Sequence, residues 1–178
     1  MVNATVRELQ RKNDAAWEAL GGTLEGMEAH LELTDAPGEW TAREVLCHLL
    51  FEPGAKPVGL LERFTAGAPP LVEITPGAVT VTPERQRMTL AELVAALDGQ
   101  RREVFGYLAT LGEADLARRA RIPVFGPLLG TDEVPLPIFV GIMFDRHWAA
   151  HTEQLAKIRR AAGLPEAQYT TPTTGPTR

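Results

Sequence analysis

The sequence predicts an all-α protein folded as a four-helix bundle. Four stretches carry apolar residues three and four positions apart, which is typical of helices with one buried face. No stretch alternates apolar and polar residues over a useful strand length. Two long connections, residues 67–88 and 112–135, separate the later helices, and a connection as long as 67–88 can cross the bundle. The second and third helices can therefore run parallel.

The first two helices are predicted from apolar spacing and from a capping signal. The first covers residues 5–31, and the pair Gly21-Gly22 is expected to weaken or bend it. Turn-forming residues 34–39 follow. The second helix begins at Thr41, because Glu44 three positions later completes a capping box.

Two prolines disturb the sequence after the second helix. Pro53 and Pro57 are expected to kink or break it, with residues 58–64 resuming the helix. The connection 67–88 is rich in proline, glycine and threonine, with a strand-like piece at 78–82. Its composition predicts a loop rather than a further bundle helix.

The last two helices are predicted in the second half of the chain. The third is capped by Thr89 with Glu92 and runs through about residue 111. The loop 112–135 precedes the fourth helix, residues 136–162, which glycine and proline terminate. We expect one domain over residues 1–165 and a flexible tail over 166–178.

Composition excludes several classes of function. The chain has 178 residues and a net charge of -5, which disfavours nucleic-acid binding. It contains no serine, so a Ser-His-Asp hydrolase is excluded. A single cysteine, Cys47, excludes an intramolecular disulfide and a cysteine-rich zinc site. The chain starts without an apolar signal segment and has no apolar stretch of membrane-spanning length, so a cytoplasmic location without membrane contact is expected.

Three of the four histidines form the candidate site. His147 and His151 lie four residues apart on one face of the fourth helix, predicted to be its inward face. His48 lies near the buried stripe of the second helix. Buried imidazoles need partners, and one divalent metal with three nitrogen ligands and a water would serve all three. Hydrogen-bonded core histidines are the alternative.

The neighbouring sequence narrows the kind of metal site. A zincin needs glutamate after its first histidine, but Trp148 stands there. No histidine is preceded at three residues by glutamate, as a ferritin-like di-iron site requires. The pattern therefore indicates a mononuclear site.

Other candidates have two interpretations each. Glu52, one turn after His48, is a candidate general base or ligand-orienting acceptor; a solvated charge is the alternative. Gln154 could orient a ligand or make a core hydrogen bond. Trp40 and Trp148 are expected to pack in the bundle, with a pocket wall as the alternative. Cys47 is expected to be a buried, unreactive thiol.

Two segments resemble a known family. GEWTAREVLCHL, residues 38–49, is similar to the start of the second helix in the DinB/YfiT-like superfamily. HWAAHTEQL, residues 147–155, is similar to its last helix, as are residues 158–165 after it. Joined by helix lengths and loops, the resemblance covers roughly residues 5–165.

The resemblance implies an up-down-down-up bundle, often dimeric, with one divalent ion (zinc, nickel, manganese or iron) on residues matching His48, His147 and His151. It implies a metal-dependent hydrolase or a thiol-dependent S-transferase, similar to bacillithiol transferases and mycothiol-dependent maleylpyruvate isomerases. The expected partners are a small-molecule substrate or low-molecular-weight thiol and a second copy of the chain, which the apolar loop 122–129 also favours. A non-catalytic, stress-related metal- or ligand-binding module is the alternative. The prolines after the second helix and the loop 112–135 depart from the family pattern.

Overall fold

The structure, a computed structural model, describes residues 2–167 and shows a four-helix bundle with short elements in its connections. In chain order the helices are α1 (Ala4–Leu24), α2 (Ala42–Leu49), α3 (Pro57–Glu62), α4 (Pro83–Arg87), α5 (Leu90–Leu108), α6 (Glu113–Leu116), α7 (Gly126–Leu129), α8 (Leu136–Gly141) and α9 (His147–Ala161). A π-helical segment, Ile142–Arg146, joins α8 to α9. The bundle consists of α1, α2, α5 and the continuous last helix formed by α8, this segment and α9. The predicted tail lies outside the described residues from position 168 onward.

The first and last bundle helices run parallel. In the first half of α1, the Asn13 side-chain amide donates to the Phe144 carbonyl at 2.7 Å. Near the end of α9, the Arg159 guanidinium donates to the Thr23 and Glu25 carbonyls at the end of α1. Later residues of α1 therefore contact later residues of the last helix, so the two helices run in the same direction.

The second helix runs antiparallel to the last helix. Trp40, just before α2, has its ring centroid 5.9 Å from that of His151. Phe51, just after α2, has its ring centroid 6.3 Å from that of Phe144. As the chain advances along α2, its partner on the last helix therefore moves backward.

The third bundle helix runs parallel to the second. Arg43, in the first turn of α2, donates to the Met88 carbonyl at 2.7 Å, just before α5. Gln100, in the second half of α5, donates to the Leu49 carbonyl at 3.0 Å. The bundle is therefore up-down-down-up, and the predicted crossing by the connection 67–88 is confirmed.

Helix ends follow their local signals with one exception. Both capping boxes form: the Thr41 hydroxyl accepts from the Glu44 amide, and the Thr89 hydroxyl from the Glu92 amide, with each carboxylate accepting in return. The predicted end of the first helix at residue 31 is wrong, because α1 ends at Leu24, two residues after the Gly21-Gly22 pair that it includes. The helix ends instead before Gly26, whose φ of 75° is left-handed and favours glycine.

The connections contain more structure than the sequence predicted. The expected strand-like piece at 78–82 is not a strand, and Thr82 instead caps α4. The loop 112–135 contains two antiparallel strands, β1 (Arg119–Arg121) and β2 (Glu133–Pro135). Three residues are too few to show an alternating pattern, so these strands could not be predicted from apolar spacing.

The core lies between the four bundle helices, and the last helix contributes a continuous buried stripe. Its fully or nearly fully buried residues are Leu136, Phe139, Val140, Phe144, Trp148, Thr152, Leu155, Ile158 and Arg159. The two histidines of α9 flank this stripe and are half-buried, so the prediction that they point inward on the apolar stripe itself is corrected.

The apolar segment 122–129 of the loop 112–135 packs partly into the chain's own interior. Ile122 is fully buried and Phe125 nearly so, while Leu128 is 58% exposed. Two of the loop's apolar residues are therefore covered within one chain, while Leu128 faces outward. Across residues 2–167, every helix is too short or too polar to cross a membrane.

Candidate metal centre

Three histidine side chains meet where α2 and α9 cross. His48 is the penultimate residue of α2, and His147 and His151 lie in the first two turns of α9. One ring nitrogen from each lies within 4.8 Å of the others. The four-residue spacing stacks two rings on one face of α9, and the antiparallel α2 brings the third to the same level.

Hydrogen bonds to each ring determine which nitrogen is available. The Nδ1 of His48 donates to the Ala78 carbonyl at 2.6 Å, and the Nδ1 of His151 donates to the Oε1 of Gln154 at 2.9 Å. The His147 ring hydrogen-bonds to the backbone of Met143. A neutral imidazole carries one proton, so the bonds at Nδ1 leave the lone pairs of His48 and His151 on their Nε2 atoms.

The Nε2 atoms of His48 and His147 lie 2.9 Å apart. Two lone pairs at that distance repel each other unless a cation or a proton lies between them. Nitrogens bound tetrahedrally to zinc at about 2.0–2.1 Å lie about 3.3 Å from each other. The donor set therefore fits a divalent ion, after a shift of a few tenths of an ångström.

Burial keeps the His147 and His151 rings neutral. Burial and the neighbouring His151 and His48 together lower the pKa of His147 to about 4, against the opposing Met143 hydrogen bond. Burial also lowers the pKa of His151. Neutral imidazoles are the form that binds metals, so near neutral pH both rings can act as ligands without losing a proton.

The two tryptophans have different environments. Trp148 is 1% exposed and packs on Trp17, with ring centroids 5.9 Å apart, so its expected role in bundle packing is confirmed. Trp40 is half-buried and stacks on the His151 ring at 14° between planes. Its centroid also lies 4.8 Å from that of His48. Trp40 thus packs against two rings of the histidine cluster, and its alternative role as a pocket wall stays a prediction.

Glu52 lies beyond the end of α2 rather than on it. Leu50 already has extended backbone geometry. The exposed Glu52 carboxylate accepts from the Thr80 hydroxyl at 2.7 and 2.8 Å. Thr80 follows Ala78, the partner of His48, by two residues. Glu52 is thus held by the segment that contacts the cluster, and its role as a general base stays a prediction.

Gln154 and Cys47 also have defined positions. Gln154 forms a part-buried hydrogen bond with a candidate ligand, His151, and its role in orienting a ligand stays a prediction. The Cys47 thiol is 1% exposed, and burial raises its pKa. A raised pKa means little thiolate at neutral pH, which agrees with an unreactive buried thiol.

Sequence reasoning missed the groups that support the cluster. The carbonyls of Ala78 and Met143 have no signal in the sequence, because any residue supplies a backbone oxygen. Arg85 was also missed. It is nearly buried and donates to the Cys47 carbonyl at 3.3 Å and to the Thr80 carbonyl at 3.0 Å. It thereby ties the end of α2 to the segment that carries Ala78.

Comparisons with known proteins agree with the four-helix bundle fold. The family model described as the DinB superfamily matches residues 7–155. A solved structure of YfiT from Bacillus subtilis, described as a probable metal-dependent hydrolase with an unusual four-helix bundle topology, superposes with a TM-score of 0.63 at 16% identity. The match covers 93% of this chain and 92% of that one, which shows a shared fold. The curated proteins contain no match to this chain.

Proposed function

The chain belongs to the DinB superfamily, and we propose that it is a metal-dependent enzyme that holds one divalent ion on His48, His147 and His151. The observation that carries this proposal is the convergence of three imidazoles, two of which have their Nδ1 atoms already engaged in hydrogen bonds. Imidazole ligands suit zinc, nickel and iron alike, so the identity of the ion stays open among these and manganese.

The proposed reaction is hydrolysis or thiol-dependent S-transfer on a small molecule. Three protein ligands leave a coordination position for a further group, and a divalent ion there acts as a Lewis acid that lowers the pKa of bound water to about 7. The three ligand rings are half-buried rather than sealed, which supports access by a substrate or a low-molecular-weight thiol. The description of YfiT as a probable metal-dependent hydrolase supports the same class of activity.

The chain's own side chains have distinct parts in this proposal. The acceptors on the Nδ1 atoms hold the rings in place, and Trp40 covers one side of the cluster. Glu52 is proposed as the general base, held at the rim by Thr80. The same three ligands would also serve a non-catalytic metal-binding module. Such a module is expected to seal its metal site from solvent, and the half-buried rings here favour the enzyme instead.

Elemental analysis of tag-free protein purified without chelator tests the proposal. We expect about one divalent ion per chain, and its loss in both His147→Ala and His151→Ala, because two neutral ligands bind weakly. His30→Ala removes an imidazole outside the cluster and is the matched control. Absence of metal after anaerobic reconstitution would reject the site.

Substrate screens with the loaded protein then separate the enzyme from the binding module. Thiol and ester substrates are assayed with the wild type and with Glu52→Gln. Turnover by the wild type that falls by about 10²-fold or more in Glu52→Gln, with metal content unchanged, supports a general base. Metal binding without turnover on either substrate class would support the module.

A further inference from the structure

The acceptors that surround the three histidine rings share a chemical property. Within residues 2–167 these partners are the Ala78 carbonyl, the Met143 backbone and the Gln154 side-chain amide, and all are uncharged. Metal-binding histidines in proteins commonly donate to such carbonyls or to a carboxylate, which raises the basicity of the ligand. Here Gln154 is the one side chain among the three acceptors, so it is the one that substitution can change.

The position of Gln154 fixes the orientation of His151 from one direction. It lies three residues after His151 on α9, on the same helix face. Its Oε1 accepts from Nδ1 at 2.9 Å. A half-turn of the ring about its Cβ–Cγ bond would replace this nitrogen by a carbon and break the hydrogen bond. It would also point Nε2 away from the other histidines.

Trp40 fixes the same ring from a second direction. Its indole plane lies 14° from the His151 plane, with centroids 5.9 Å apart. Stacking restricts the tilt of a ring but does not distinguish its two flipped orientations. The hydrogen bond to Gln154 makes that distinction.

We infer that Gln154 is a positioning residue that locks His151 in the Nδ1–H tautomer and directs its Nε2 lone pair at the point shared with His48 and His147. The part of this role that concerns a metal rests on the proposed function. Because the amide is neutral, it orients the ligand without adding negative charge, so a bound cation keeps its full charge for an incoming group.

Nitrogen-detected NMR of the metal-free full chain at pH 7.5 tests the tautomer directly. We expect His151 to be protonated at Nδ1 in the wild type and to become a mixture of tautomers in Gln154→Ala. Gln10→Ala makes the same chemical change at an exposed position of α1 and should leave the His151 signals unchanged. A wild-type Nε2–H tautomer, or an unchanged tautomer in Gln154→Ala, would overturn the inference.

Zinc affinity, measured by competition with a chromophoric chelator, tests the consequence for the metal. Gln154→Ala should weaken binding by about 10-fold or more. Gln154→Glu should restore or exceed wild-type affinity, because its carboxylate accepts the same proton and adds a negative charge. A purely structural role would not be rescued in this way.

The two readouts keep the inference separate from the proposed function. Equal zinc affinity in the wild type, Gln154→Ala and Gln154→Glu would overturn the positioning role. A wild type that binds no zinc would reject the proposed metal centre, while the NMR result still decides the tautomer.

Discussion

His147 carries a proton more readily in the unfolded chain than in the folded protein. Burial, together with the neighbouring rings of His151 and His48, lowers its pKa from 6.5 to about 4. Between these values the unfolded chain binds more protons, so the free energy of unfolding of the metal-free protein falls as the pH drops from about 6.5 to 4. Above about 6.5 both states are neutral and this contribution to the pH dependence disappears. His151, whose pKa is also lowered, adds to the loss in the same direction.

Urea unfolding of metal-free protein between pH 8 and pH 5 measures this effect. We expect stability to fall toward pH 5 in the wild type, and the fall to be smaller in His147→Asn, which has no group that titrates there. His30→Asn is the control for losing a histidine elsewhere. The same pH dependence in the wild type and in His147→Asn would contradict the expectation.

The ligand histidines could be selected from the sequence, whereas the groups that orient them could not. Spacing places His147 and His151 on one helix face, and the capping box at Thr41 fixes where α2 begins. Nothing local indicates that the carbonyl of Ala78, thirty residues after His48, would accept from its ring. That contact depends on how the long connection folds back over the bundle.

Among the secondary-structure elements, the π-helical segment is the one most closely connected to the site. It spans Ile142–Arg146 and ends directly before His147. Asn13, which is fully buried, donates to the Phe144 carbonyl within it at 2.7 Å and accepts from Arg101 at 3.3 Å. Wide turns of this kind occur frequently at functional sites, and here a side chain from α1 satisfies one of its carbonyls.

Asn13→Leu should destabilise the protein by about 1–3 kcal/mol, because a leucine of similar size leaves the Phe144 carbonyl buried without a donor. Urea unfolding at neutral pH, with metal-free protein, measures the change. Gln10→Leu, on an exposed turn of the same helix, is the control. A loss in Asn13→Leu no larger than in this control would show that the hydrogen bond does not support the π-helical segment.

Local signals predicted where α2 and α5 begin, because a capping threonine satisfies the first turn of its helix independently of the rest of the chain. They did not predict that α1 would continue through Gly21-Gly22. A glycine inside a helix costs only about 1 kcal/mol, and burial of Leu20 and Leu24 on either side outweighs it. The hairpin of β1 and β2 forms because Arg119–Arg121 also pairs with residues 65 and 71, which the sequence places far away.

At the scale of the whole molecule, we consider how a second copy of the chain would contact the apolar loop 122–129 in the expected homodimer. Ile122 and Phe125 are covered by the chain's own core and are not available to a second copy, whereas Leu128 in the same loop is 58% exposed. We expect a dimer by sedimentation at micromolar concentration, weakened in Leu128→Glu, since a charge in an apolar interface is costly. A single species of monomer mass in the wild type would reject the dimer.

The crossing of α2 and α9 joins parts of the chain that are distant in sequence. His48 and His147 are separated by 99 positions. An ion bound to both is a reversible cross-link, closing a loop about as long as many entire domains. By chain-entropy arithmetic, a permanent cross-link of roughly 100 residues restricts the unfolded ensemble by about 4–5 kcal/mol. Metal supply would then act as a thermodynamic control on folding, and a chelator would act on this protein as a mild, specific denaturant.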